Sequence, residues 1–180
     1  MREVFSPFLL TVGSVGDRKN QARCIEAFSA SGLAQKGWQY VIVGGREHGA
    51  DAAIQLASRT AGVVLPGYAG DDELRWLYAN ASGFVLMSLL EGFGMPVIEA
   101  IEHDLACLVS RSSILVEIGG GGMLDADPLD LESIASGMRL LAGMPAEERI
   151  RRISQAREHL LNFAREPILA SWRALIERIG

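Results

Sequence analysis

Short apolar runs alternate with segments of helical spacing along this sequence, and few folds tolerate that alternation. Phe8 to Val12, Tyr40 to Val43, Val63 to Leu65, Phe84 to Met87, Leu105 to Val109 and Met123-Leu124 read as strands, several of them stopped by glycine or by Pro66-Gly67. Helices are predicted over Gln21 to Gln35 with Asn20 as a cap, over His48 to Arg59, and from a capping Asp71 through Leu74, Leu77, Tyr78 and Ala81. Pro96 to Glu102 follows as a helix with proline in its first turn. Asp127-Pro128 predicts a cap and first-turn proline for a helix bearing Leu131, Ile134, Met138 and Leu141, and Pro145 and Pro167 each open another. Strands that are apolar throughout belong to a parallel sheet covered on both faces. The fold class is therefore α/β, as a single domain over residues 1–180 with C-terminal helices at about 145–179.

A length of 180 residues suffices to bury a real core. The net charge of −5 argues against a general nucleic-acid binder, which carries a basic face. Cys24 and Cys107 lie in apolar segments without metal-ligand spacing and read as buried free thiols of a cytosolic protein. No apolar run reaches transmembrane length.

The densest chemistry lies in Leu86 to Ala100, LMSLLEGFGMPVIEA. A strand runs into a loop with Glu91, Gly92, Phe93, Gly94, Met95 and Pro96, and the loop hands over to a helix carrying Val97 and Glu99. Ligands of α/β proteins bind outside the carboxyl ends of the strands. Glycine lets the backbone come close to a ligand, and a helix start offers N–H groups to an anion. The loop after the first strand, GSVGDRKN, lacks the full G-x-G-x-x-G and P-loop patterns. It does bring Arg18 and Lys19 to the same sheet edge, where they could pair with a diphosphate or simply face solvent.

Two carboxylates could bind sugar or ribose hydroxyls, act as a general acid and base, or hold a metal; no third ligand is suggested nearby. His48, His103 and His159 read as surface or capping residues. Ser88 lacks a nucleophile elbow, Met87 reads as core, and Trp38, Trp76 and Trp172 read as packing residues.

In the order VGSVGDRKN, YVIVGG, VVLPGYAGDDELRWLYANA, EGFGMPVIEA, ILVEIGG and MLDADPLDLESIASGM, these blocks resemble the C-terminal, nucleotide-sugar-binding half of group-1 retaining glycosyltransferases of the two-Rossmann-domain (GT-B) type. The resemblance implies a Rossmann-like sheet and no metal or other cofactor. The donor would be a GDP- or UDP-linked sugar, used for polysaccharide or glycoconjugate synthesis. It implies that Glu99 holds ribose hydroxyls and that Glu91 contacts the donor sugar. Lys19 and Arg18 would neutralise the leaving diphosphate. Gly92, Phe93, Gly94, Met95 and Pro96 would line sugar and diphosphate, Val97 would lie against the nucleoside, and the turn at Gly67 and Tyr68 would meet the base. Gly13 would stand at the donor site in the first loop.

The sequence departs from the family at Met87, at His103 to Ala106, at Val116 and at Gly119 to Gly121. The acceptor-binding N-terminal half is not in these residues, so the isolated chain is expected to bind donor without transferring it. Such an enzyme would work in the cytoplasm, with any contact to the inner membrane face made by the other half. A stand-alone nucleotide-sugar-binding module and half of a sugar-nucleotide epimerase are the alternatives.

Overall fold

The computed structural model describes residues 4–111 and 113–179, with the side chains of Ala170 and Ile179 outside the description. Six strands form one sheet: β1 (Phe8–Val12), β2 (Gln39–Val43), β3 (Val63–Gly67), β4 (Gly83–Leu86), β5 (Cys107–Ser110) and β6 (Leu124–Ala126). Every pairing is parallel and the spatial order is β3-β2-β1-β4-β5-β6. The helices are α1 (Gln21–Ser31), α2 (Ala50–Arg59), α3 (Asp71–Asn80), α4 (Met95–Glu102), α5 (Ile114–Gly119), α6 (Leu131–Ala142), α7 (Ala146–Leu160) and α8 (Arg165–Ile179).

The strands explain the two-sided burial, because successive side chains point to opposite faces. Leu9, Tyr40, Ile42, Val85 and Leu108 meet α1, α2 and α6 on one side. Phe8, Leu10, Val41, Val43, Phe84, Leu86, Cys107 and Val109 meet α3, α4 and α5 on the other. One polar thread crosses the first core: the Tyr40 hydroxyl bonds Thr11 Oγ1 at 2.8 Å, and Thr11 Oγ1 donates to the Val85 carbonyl. Cys24 and Cys107 are both buried free thiols.

Helix starts differ from the sequence reading at four of the helices, α1, α3, α6 and α8. Asn20 does precede α1 but in a left-handed conformation (φ 59°), and its side chain makes no cap bond. Helix α6 is capped by Asp130, whose carboxylate accepts from the Glu132 and Ser133 amides, so Asp127-Pro128 forms the preceding turn. Helix α3 is preceded by Gly70, whose amide donates to Glu73, with Asp71 as its first residue. Helix α8 starts at Arg165, ahead of Pro167. Of the tryptophans read as packing residues, Trp38 packs against the first core, whereas Trp76 stacks on Phe8 but is 44% exposed and Trp172 is largely exposed on α8.

Candidate functional site

The strand order fixes where a ligand can sit. From β1 the chain runs into α1 on one face of the sheet, and from the neighbouring β4 it runs into α4 on the other. The two loops diverge and leave a crevice at the carboxyl edge, the usual ligand position in an open parallel sheet. The loops in question are Gly13 to Asn20 and Met87 to Gly94, the two segments richest in candidate chemistry.

The first loop is built to bring two cations to the crevice. Gln21 closes it from within, accepting from the Gly16 amide and donating to the Ser14 carbonyl. A single turn over Asp17–Lys19 then directs Arg18 and Lys19 toward the β4 loop. Lys19 Nζ donates to Glu91 Oε1 at 2.5 Å, and the two side chains are only 9% and 8% exposed. Ser88 Oγ donates to the same Glu91 oxygen at 2.7 Å. Arg18 Nη1 lies 3.5 Å from Glu91 Oε2 and donates to the Leu90 carbonyl at 2.9 Å.

Arg18 also reaches Glu47, which stands after β2, at 3.5 Å. Glu47 accepts from Ser14 Oγ as well, and that bond, with the nearby Arg18 and Lys19 charges, holds its carboxyl below the usual range. Asn20 ties the loops from behind: its amide donates to the carbonyls of Met87 (3.1 Å) and Pro128 (2.8 Å).

The second loop ends at Gly94, whose φ of +97° starts α4. A Cβ there would lie 2.4 Å from Leu115 Cδ2, so only glycine satisfies both the backbone and the packing. Met95 and Pro96 form the first turn of α4, with Phe93, Gly94 and Met95 able to present N–H groups at the positive end of the helix. Phe93 and Met95 are exposed at this mouth, and Phe93 also meets Phe163 edge-on at 6.2 Å between centroids. Val97 does not join them. Its side chain is fully buried in the core under α4, because the i+2 position of this helix faces the sheet.

One turn further on, Glu99 opens onto a cavity of about 190 Å³ between α3 and α4, lined by Asp71, Leu74, Arg75, Tyr78, Glu99 and His103. Tyr78 donates to Glu99 Oε2 at 2.8 Å, and His103 Nδ1 donates to the Glu99 backbone carbonyl at 2.9 Å. Gly67 ends β3 with φ +89° and accepts from the Gly44 amide at 2.9 Å; Tyr68 beside it is 81% exposed. Gly13 bonds across to Val43, and a Cβ on it would stand 3.6 Å from Lys19 Cε.

Lys19, Arg18, Glu91 and Gly92 to Pro96 thus share one crevice, with Glu99 beside it on α4. Glu47, Ser88, Asn20 and Tyr78 gain partners that the linear sequence does not announce. The one available signal was a phenol tip on the otherwise apolar stripe of α3. His48 lies on the exposed β2–α2 connection, where its backbone carbonyl accepts from the Asp17 amide, and His159 bonds the Glu117 carbonyl. Among the described residues no group of three or more His, Cys, Asp or Glu side chains could hold a metal ion, and no helix is long and apolar enough to cross a membrane.

An open, all-parallel sheet with helices on both faces and charged loops at its strand-order switch point defines the class: a Rossmann-like α/β domain. Its family is given by residues 4–159, which match the model described as glycosyl transferases group 1. The chain belongs to that family, and its Rossmann-like sheet is of the GT-B type.

Among curated proteins it is similar to O-antigen chain mannosyltransferase B of Escherichia coli, 29% identical over 133 residues, covering 72% of this chain and 35% of the relative. It is also similar to the serotype-specific mannosyltransferase WbdA of the same organism, 31% identical over 134 residues, covering 71% of this chain and 16% of the relative. Among solved structures it resembles a trehalose-6-phosphate synthase, OtsA (TM-score 0.76, 13% identity, 87% of this chain and 40% of that one). A UDP-forming trehalose-phosphate synthase of Burkholderia vietnamiensis superposes equally well (TM-score 0.77, 13% identity, 93% of this chain and 45% of that one). The chain therefore spans less than half the length of each of these relatives.

Proposed function

We propose that this chain is the donor-binding, C-terminal half of a retaining glycosyltransferase and that its crevice holds a nucleoside-diphosphate sugar. The observation that carries the reading is the Lys19–Glu91 contact, which gathers a cation for phosphate and a carboxylate for sugar hydroxyls at the strand-order switch point. In transfer, the bond from the anomeric carbon to the diphosphate breaks, that carbon bonds to an acceptor hydroxyl oxygen, and the hydroxyl's proton passes to the departing diphosphate. Negative charge then grows on the departing diphosphate. Lys19, Arg18 and the amides at the start of α4 are the groups of this chain that stabilise it, and such preorganised charge is a large part of catalysis in many enzymes.

Glu91 accepts from donor-sugar hydroxyls and Glu99 from the ribose, each through its carboxylate oxygens. Tyr68 and Gly67 meet the base. The donor is GDP- or UDP-linked. Mannose is the favoured sugar, since the two curated relatives described above are named as mannosyltransferases. The acceptor site belongs to another domain, consistent with relatives more than twice as long. The protein acts in the cytoplasm on a polysaccharide or glycoconjugate, and the 180-residue chain alone binds donor without turnover.

Calorimetric titration with UDP, GDP, ADP and dTDP, and with a sugar conjugate of each, tests this reading. One base binds saturably, and Glu99→Ala weakens it by about tenfold through loss of hydrogen bonds to a charged group. Absence of binding by every nucleotide would overturn it.

A further inference from the structure

Tyr78 makes a contact that the donor-binding reading above leaves unused. Its hydroxyl lies 2.8 Å from Glu99 Oε2 and 3.4 Å from the Pro96 carbonyl, so its single proton goes to the carboxylate. The ring cannot swing away: it is 2% exposed and stacks on Phe84 (6.0 Å between centroids) and on His103 (5.1 Å). His103 in turn is tied to the Glu99 carbonyl one helical turn back. Burial and the adjoining carboxylate push the Tyr78 phenol well above its ordinary value, so it remains a donor at any working pH.

An ionised carboxylate offers two oxygens and rotates freely unless one is held. With Oε2 held by Tyr78 from the packed side, Oε1 is left for the cavity lined by Asp71, Leu74 and Arg75.

We propose that Tyr78 is the positioning residue that fixes the Glu99 carboxylate for recognition of the ribose hydroxyls, and so sets the preference for ribonucleotides. This rests on the assignment of Glu99 to the ribose. A side chain held in its productive rotamer loses less freedom on binding, and that advantage exists only for ligands that have the hydroxyls. Tyr78→Phe keeps the ring stacking and removes the one bond.

The test measures dissociation constants of UDP and GDP, and of their 2′,3′-dideoxy counterparts, for the 180-residue chain, for Tyr78→Phe and for Glu99→Ala. In the unaltered chain the ribonucleotide of the preferred base binds more tightly than its dideoxy form. Tyr78→Phe lowers that ratio by roughly fivefold to tenfold, the range for a hydrogen bond to a charged group, and leaves dideoxy binding unchanged. Glu99→Ala abolishes the ratio, and adding Tyr78→Phe to it changes nothing more.

Equal loss for both ligands in Tyr78→Phe, or an unchanged ratio there while Glu99→Ala removes it, overturns the role of Tyr78 alone. A ratio that survives Glu99→Ala, or no binding of any of the four nucleotides, overturns the ribose assignment and the proposal with it.

Discussion

Lys19 Nζ and Glu91 Oε1 stand 2.5 Å apart across the crevice, joining the loop after β1 to the loop after β4 with both side chains more than nine-tenths buried. Removing one partner of such a pair leaves an uncompensated buried charge, which costs about 3 kcal/mol, whereas replacing both is far milder. Lys19→Met is therefore expected to lower the free energy of unfolding by about 2–3 kcal/mol, with Arg18 and Ser88 offsetting part of the loss. Lys19→Met/Glu91→Leu should be less destabilised than the sum of its single changes. Urea denaturation of the four proteins checks this, and additivity would mean that the pair is not coupled.

On the proposed donor-binding reading, the same pair should also govern ligand affinity. In the free protein Glu91 occupies the positive charge that a diphosphate needs, so Glu91→Gln should bind UDP or GDP without a sugar more tightly, by about threefold or more. The variant should lose the extra affinity that a sugar conjugate has over the bare nucleotide. Calorimetry reads both quantities, and weaker binding of the bare nucleotide would contradict the assignment.

Gly94 combines φ +97° with a site where a Cβ would lie 2.4 Å from Leu115 Cδ2. Gly94→Ala should cost about 2–3 kcal/mol, from left-handed backbone and overpacking together. Adding Leu115→Ala relieves the contact but not the backbone, and itself opens a cavity. The double variant should therefore remain less stable than the unaltered chain in thermal denaturation, and nucleotide affinity should fall in both.

Burial pushes the Cys24 thiol up to about 12, and Cys107 is raised for the same reason. The folded state thus keeps protons that the unfolded chain releases from about pH 8.5 upward. That stability is fully present below the unfolded value and is lost as pH rises toward the folded one, at about 1.4 kcal/mol per pH unit for each thiol. Denaturation midpoints at pH 8, 9 and 10 should fall in that order. A thiol reagent at pH 8 should label neither cysteine until denaturant is added; rapid labelling of the native protein would contradict their burial.

Much of the fold was legible because a parallel sheet buried on both faces writes itself as apolar runs: the run at β1 matches its strand, those at β2 to β5 overlap theirs within two residues at either end, and the one at β6 meets its strand only at Leu124. The switch-point crevice could be anticipated too, since glycine-bearing loops with charged residues follow β1 and β4. What the sequence could not display is partnership at long separation. Asn20 has the chemistry of a cap, yet its amide goes to Met87 and Pro128 because the β1, β4 and β6 loops converge there. Val97 follows the glycine-bearing loop after β4 but turns to the sheet, as helical periodicity requires once α4 begins at Met95. Tyr78 scores as an apolar stripe residue, and only the packing of α3 on α4 brings its hydroxyl to Glu99.

The most direct measurement is a titration of the ¹⁵N-labelled chain with GDP and with UDP, following backbone amide resonances. Binding at the switch point predicts that the largest shifts gather in Gly13 to Asn20, in Gly67 to Gly70 and in Gly92 to Val97, and that they saturate together. Shifts concentrated elsewhere, such as the groove lined by Leu140, Met144 and Arg152 between α6 and α7, or no shifts with either nucleotide, would contradict the account.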